Sequence, residues 1–153
     1  MRLVVQRATR ASVHAGRELL GEIETGALVL VGVAVGDTPE VADRMADKLV
    51  GLRYFRDADG RTNLDLADAG GSLLVVSQFT LLADVRRGRR PGYTDAAPPE
   101  LAVPILDRFV ERLRSVGVAV QTGRFGAEMA VELVNDGPFT LVLDSQRDLG
   151  AAD

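Results

Sequence analysis

The sequence contains no cysteine and a single histidine, His14. The first absence removes disulfides, thiolate catalysis, zinc ribbons and iron–sulfur ligation, and it permits a reducing compartment. The second removes zinc-hydrolase motifs, which need two histidines a helical turn apart, and any Ser-His-Asp triad would have to recruit His14 itself. His14 lies in Ala11–Ala15, which reads as a short strand between turn signals, where an exposed or cross-strand histidine is the ordinary case. Long hydrophobic runs are missing too. Met1–Arg7 offers three consecutive apolar residues before polar ones return, short of a signal-peptide core, and no window reaches the length of a membrane span. A cytoplasmic chain with no membrane partner is expected.

What is present fits one domain. A chain of 153 residues, 46% of them hydrophobic, buries roughly 68–70% of its unfolded surface on folding. The net charge of −4 argues against indiscriminate nucleic-acid binding, yet Arg86-Arg87-Gly88-Arg89-Arg90 concentrates four arginines in five positions.

Strands are expected at Arg2–Arg7, Ala11–Ala15, Arg17–Ile23 and Ala27–Val35, the last apolar enough to be buried on both faces. Asp37-Thr38-Pro39-Glu40 supplies a cap, a first-turn proline and an early acid, so a helix begins there, with Val41, Met45, Leu49 and Leu52 on its core face. Asp57-Ala58-Asp59-Gly60 is a turn, because the other ligands of a calcium loop are missing. Ser72–Phe79 is an apolar strand ending in polar residues, and Ala83–Pro98 is a long aperiodic loop, of a kind usually functional. Leu101, Ile105, Phe109, Leu113 and Val116 mark a second helix closed by Gly117. Pro104 either kinks that helix or delays its start to near Val103. Strands at Val118–Gln121 and Ala127–Val134 follow. Asn135-Asp136-Gly137-Pro138 interrupts before Phe139–Leu143 resumes, and the polar Ser145–Asp153 is expected to fray.

These elements define a single α/β domain, a mixed curved barrel-like β-sheet with two main helices packed outside. Its limits are residues 1–145, with 146–153 as a polar C-terminal tail. Neither a dinucleotide-binding glycine pattern nor a Walker lysine is present. No cofactor and no metal is expected.

Two segments break the structural grammar: Ser77-Gln78-Phe79-Thr80 at a strand end, and Asn135-Asp136-Gly137-Pro138 between two strands. Read alone, each has a plain structural explanation, since Ser and Thr bond backbone at strand ends and Asn-Asp-Gly-Pro makes ordinary turns. The arginine cluster read alone is a solvated loop, with phosphate binding as the sharper alternative. Together with Val5-Gln6-Arg7, Gly36–Thr38, Gly71–Leu81, Gly88-Arg89-Arg90-Pro91, Ala96–Glu100, Thr122–Ala127 and Leu133–Pro138, they resemble the D-aminoacyl-tRNA deacylases along almost the whole chain. S-Q-F-T and N-x-G-P are that family's signatures.

The resemblance implies a homodimer with active sites at the subunit interface. Each is lined by Ser77, Gln78, Phe79 and Thr80 of one subunit and by Asn135, Gly137 and Pro138 of the other, with a cis Gly137–Pro138 peptide. It implies hydrolysis of D-aminoacyl-tRNA, and of glycyl-tRNA mischarged on tRNA(Ala), with L-amino acids refused by the glycine–proline carbonyls. The acceptor end of the tRNA is the expected partner of Arg86, Arg87, Arg89 and Arg90. Phe139 departs from the family, which has a smaller β-branched residue there, and is expected to reshape the pocket wall; Pro104 departs only in packing. The terminal ribose of tRNA carries a hydroxyl beside the ester, so positioning and backbone N–H groups around Gln78–Phe79 suffice for catalysis, with Thr80 orienting. A covalent Thr80, or Ser77, is the rival, but no general base is visible for either. A non-catalytic RNA-binding module has no need of both signatures, and a serine esterase would show G-x-S-x-G, which Val75-Val76-Ser77-Gln78-Phe79 does not.

Overall fold

In a computed structural model that describes residues 1–150, fourteen residues of unbroken strand open the chain as β1 (Arg2–Ala15). The polar step Arg7–Arg10, which in sequence separates two short strands, is absorbed by irregular pairing with β8 (Ala130–Asp144), a second continuous strand where sequence suggested two. Between them in the chain lie β2 (Glu18–Ile23), β3 (Gly26–Gly32), α1 (Pro39–Gly51), β4 (Phe55–Arg56), β5 (Thr62–Leu64), β6 (Ser72–Ser77), α2 (Pro99–Ser115) and β7 (Val120–Thr122).

The first half of β1 pairs antiparallel with β3 and the second half with β2, while β8 runs antiparallel along both halves. β6 joins β3 in parallel and β7 joins β6 in parallel. Both interior strands are nearly continuous apolar runs, as parallel strands covered on two faces must be. The sheet curls until β2 meets β7: a Cβ placed on Gly21 would stand 3.1 Å from the Thr122 carbonyl oxygen. The result is a nearly closed, barrel-like sheet.

Alternation along each strand divides the core in two. Leu3, Val5, Val29, Val31, Leu73 and Val75 face the helices, where they meet Met45, Leu49, Phe109 and Leu113. Ala11, Val13, Ile23, Leu28, Leu74 and Val76 fill the inside of the curl. Thr38 caps α1, its hydroxyl accepting from the Val41 N–H at 3.4 Å, and Pro39 occupies the first turn. Helix α2 starts at Pro99 and carries Pro104 inside it, so the late start near Val103 does not occur. Fork-shaped pairs, Arg108 on Asp43 and Arg112 on Asp47, join the two helices. The expected fraying at the end also fails for Ser145–Asp148, a helical turn α3 capped by the Asp144 carboxylate; residues 151–153 of the expected tail lie outside the described residues. Among those described, no helix is long and apolar enough to cross a membrane.

Candidate active site

β6 delivers the first signature. Its last residue, Ser77, pairs with Val31 of β3, and the Gln78 N–H donates to the Val31 carbonyl at 2.8 Å. The chain then turns through a 3-10 helix, Phe79–Leu82. Gly32, at the end of β3, makes room for this close approach: a Cβ there would press on Leu82 Cδ2 and stand 3.1 Å from the Gln78 carbonyl oxygen. Arg2 fixes the far end of the turn, donating from Nη1 to the Leu81 carbonyl at 2.8 Å while Nε and Nη2 fork onto Asp144.

The geometry reassigns one expected role. The Gln78 N–H is spent on β3, so it is not a donor for substrate. The N–H groups of Phe79 and Thr80, at the start of the 3-10 turn, have no acceptor among the described residues. First-turn N–H groups are left unpaired by helical geometry and point outward together. Gln78 Nε2 donates to the Thr80 hydroxyl, which leaves the hydroxyl hydrogen of Thr80 free to donate.

Ser77, Gln78 and Phe79 line a cleft of about 670 Å³ with Tyr93, Phe125 and Met129 on its walls. Thr80 follows on the same turn, tied to Gln78. Glu128 is the one carboxylate on the lining, and His14 is not part of it. Phe79 is 55% exposed and meets Tyr93 edge-on, ring centroids 5.1 Å apart. The opposite wall, Phe125–Met129, is pinned to β2 by Arg124, whose guanidinium forks onto Glu18 at 2.7 and 3.1 Å and holds that carboxyl below its usual range. Gly123 packs against Met129 of this wall, where a Cβ would fall 2.7 Å from Met129 Sδ.

The arginine cluster lies on the loop that leads to Tyr93. Paired bonds between Asp84 and Gly92, each 2.8 Å, close its base. Arg86 folds back onto Asp84 at 2.9 and 2.7 Å and holds that carboxyl well below the ordinary carboxylate range. Arg87, Arg89 and Arg90 are exposed and make no salt bridge among the described residues.

The second signature is elsewhere. Asn135, Gly137 and Pro138 line no part of this cleft in their own chain. They form a corner in β8 where Arg7 alone faces the four residues Asp136 to Phe139, with the Gly137–Pro138 peptide cis. Three side chains hold it. Asn135 Nδ2 donates to the carbonyls of Arg7 (2.9 Å) and Phe139 (3.0 Å). Arg7, buried at 3% exposure, donates from Nε to the Asp136 carbonyl at 3.0 Å and from Nη1 to the Tyr54 carbonyl at 2.6 Å. Arg56 bonds the Asp136 carboxylate at 2.7 Å and the Gly137 carbonyl at 3.2 Å. A Cβ on Gly137 would stand 2.8 Å from Asn135 Oδ1, so a side chain there would push on the amide that bridges Arg7 and Phe139.

Asn135 is thus a scaffold of the corner. Phe139, expected to reshape the pocket wall, is stacked on Tyr54, ring centroids 5.6 Å apart, with the Arg7 guanidinium 4.7 Å from its ring centre. Arg2, Arg7, Gly32, Arg56, Tyr93 and Phe125 were not read as site residues in the sequence. Arg7 and Phe125 fell inside the resemblance motifs Val5-Gln6-Arg7 and Thr122–Ala127, but nothing local assigned them, or the other four, a place at the site.

A mixed sheet curled on itself, with a polar turn at the end of a parallel strand, defines a small mixed α/β domain with a strand-end site rather than a nucleotide-binding fold. Residues 4–144 match the family described as D-Tyr-tRNA(Tyr) deacylase. The chain is 58% identical over 145 residues to the D-aminoacyl-tRNA deacylase of Roseiflexus sp. (strain RS-1), covering 95% of this chain and 94% of the relative. It is 54% identical over 147 residues to the D-aminoacyl-tRNA deacylase of Symbiobacterium thermophilum, covering 96% and 97%. The solved structure of a c-Myc DNA Unwinding Element Binding Protein superposes with a TM-score of 0.89 at 39% identity, covering 94% of this chain and 98% of that one. The chain belongs to the D-Tyr-tRNA(Tyr) deacylase family, a family of hydrolases.

Proposed function

We propose that the protein is a homodimeric, cytoplasmic deacylase, its catalytic unit spanning residues 1–145. It hydrolyses the ester of D-aminoacyl-tRNA, and of glycyl-tRNA mischarged on tRNA(Ala), to free amino acid and tRNA. The observation that carries this reading is the division of the two signatures. Ser77–Phe79 line a cleft that Asn135–Pro138 of the same chain do not reach, so a second copy is needed for both to meet one substrate. Among the described residues strand β8 pairs only with β1, which leaves its other edge open there, and Val134 and Val142 are exposed on it at 42% and 47%. An open strand edge with apolar side chains invites pairing with another chain.

The chemistry needs no strong nucleophile. Water adds to the ester carbonyl, the bond from carbonyl carbon to the ribose oxygen breaks, and that oxygen takes up the proton, assisted by the neighbouring ribose hydroxyl. Charge that develops on the carbonyl oxygen is met by the unpaired N–H groups of Phe79 and Thr80. Thr80, accepting from Gln78 and with no carboxylate or imidazole bonded to it, is an orienting donor and not a nucleophile. The Gly137–Pro138 corner of the second subunit stands where an L-side chain would go, so selection is refusal by backbone and glycine, having no side chain, passes. Arg87, Arg89 and Arg90 meet phosphates of the acceptor end, with Arg86 clasping the loop through Asp84.

The test is subunit exchange. A variant disabled at Gln78 and Phe79 is mixed with one disrupted at both Gly137 and Pro138, the two homodimers first chosen for inactivity on D-tyrosyl-tRNA. A mixed dimer places both lesions in one site and leaves the other intact, so equal mixing restores about a quarter of wild-type activity. No recovery, with exchange verified by mass, sinks the cross-subunit site. Absence of any preference for D- over L-tyrosyl-tRNA in the wild type sinks the function.

A further inference from the structure

The corner of β8 is held by two arginines that differ in kind. Arg7 is buried and bonds Asp136 and the backbone of Tyr54, so its loss disturbs the core. Arg56 has 42% of its side chain exposed, and an ion pair so placed contributes little to stability. Yet its Nη2 is the only side-chain donor on the Gly137 carbonyl among the described residues, at 3.2 Å, while Nη1 anchors on Asp136 Oδ1 at 2.7 Å.

The base from which Arg56 reaches is rigid. Tyr54 and Phe55 immediately before it are core residues, exposed by 2% and 4%, with rings 4.5 Å apart. Asp57 immediately after it closes the β4–β5 hairpin: its N–H donates to the Arg61 carbonyl at 2.8 Å, and its Oδ1 accepts from the Asp59 and Arg61 N–H groups at 3.0 and 2.9 Å. A planar fork anchored this way fixes a direction as well as a charge, and a lysine in its place keeps only the charge.

We propose that Arg56 is a positioning residue for stereochemical selection: through its two-pronged contact with Asp136 and Gly137, it sets the direction of the Gly137 carbonyl presented to the partner's cleft. The inference rests on the functional reading above, in which that corner refuses L-side chains. A carbonyl oxygen has two lone pairs, so the one bonded to Arg56 leaves the other facing substrate. Loss of the arginine frees the peptide to rotate about its flanking bonds, and an L-side chain then meets a softer barrier.

Single-turnover hydrolysis of D- and L-tyrosyl-tRNA by the full-length dimer tests this with Arg56→Gln and Arg56→Lys, each checked by thermal melting. Both variants are expected to melt close to wild type. In both, the ratio of the D- to the L-rate falls about tenfold, the size of one charge-assisted hydrogen bond. An unchanged ratio in Arg56→Gln overturns the inference and leaves the deacylase reading standing. Full recovery of the ratio in Arg56→Lys also overturns it, because charge opposite Asp136 would then suffice. So does a large loss of melting temperature in Arg56→Gln, which would make the residue a structural one. A wild type with no preference for D overturns the functional reading and this inference together.

Discussion

Replacing Arg7 by methionine keeps most of the side-chain volume and removes every hydrogen bond that the residue makes. Two carbonyls, those of Tyr54 and Asp136, lose their guanidinium donor, and the Asp136 carboxylate loses a partner 3.2 Å away. An acceptor stranded by losing a charged donor costs about 1–3 kcal/mol, and breaking one side of a buried ion pair costs about 3–5 kcal/mol. Those ranges overlap and do not add, because Asp136 is 33% exposed and keeps Arg56. The contact with Phe139 persists in part, since a thioether also packs favourably on an aromatic ring. The expected loss is therefore about 3–4 kcal/mol. For a domain of this size, that corresponds to a fall of roughly 6–16 °C in melting temperature. Arg7→Lys, which keeps the charge and loses the fork, falls between. Melting is followed by circular dichroism at one fixed protein concentration, because a dimer's midpoint depends on concentration. A fall of less than about 3 °C for Arg7→Met would refute the claim that this arginine holds the corner.

Tyr54 is buried with a hydroxyl that finds no partner among the described residues, and burial pushes that hydroxyl's pKa well up; Tyr54→Phe is expected to stabilise by about 1 kcal/mol, and a lower melting temperature would show that the hydroxyl is satisfied. Glu18, Glu40, Asp43 and Asp148 titrate below their ordinary values, held down chiefly by side-chain bonds from Arg124, Thr38, Arg108 and Arg147, with Asp148 lowered to about 2. Their contribution is fully present above the unfolded carboxylate values near 3.8 to 4.5 and is lost as pH falls through the folded values, so melting temperature should drop from about pH 5 downwards; a rise on acidification contradicts this. In the arginine loop, glutamine at positions 87, 89 and 90 should flatten the salt dependence of tRNA binding by about 0.7–0.9 in slope per lost phosphate contact, with a smaller effect at 86; equal effects at all four positions would deny Arg86 its bond to Asp84.

The apolar spine was legible because it obeys local rules. β3 and β6 are unbroken aliphatic runs, and Thr38-Pro39 announces α1 at its capped end. β1 and β8 were each read as two strands because Arg7–Arg10 and Asn135–Pro138 break alternation. Their continuity depends on Asn135 and Arg7, residues 128 and 129 positions from what they bond, and no window along the chain contains both. The same limit hid the reassignment of donors in the S-Q-F-T turn. That the Gln78 N–H is consumed follows from a parallel neighbour, β3, whose register against β6 is set by Gly26 lying under Ser72. Family resemblance singled out both signatures, while the contacts of Asn135 and Phe139 needed coordinates, because a side chain's direction at a bulge is not fixed by strand alternation.

Both signatures are moored to one strand. Arg2 of β1 ties the S-Q-F-T turn to the end of β8 through Leu81 and Asp144, and Arg7, five residues on, ties the corner of β8 to Tyr54. An odd spacing along a strand puts the two guanidiniums on opposite faces, which is how one strand can serve a cleft on one side and a projection on the other. The corner's exposed turn is in this way satisfied by its own chain: the carbonyls of Asp136, Gly137 and Phe139 all have donors from within it. A projection that needs no partner to hold its shape can be offered to another subunit already formed, at little cost in ordering on association. Selection by rigid backbone requires that condition, since a carbonyl that could swing aside would yield to an L-side chain instead of excluding it.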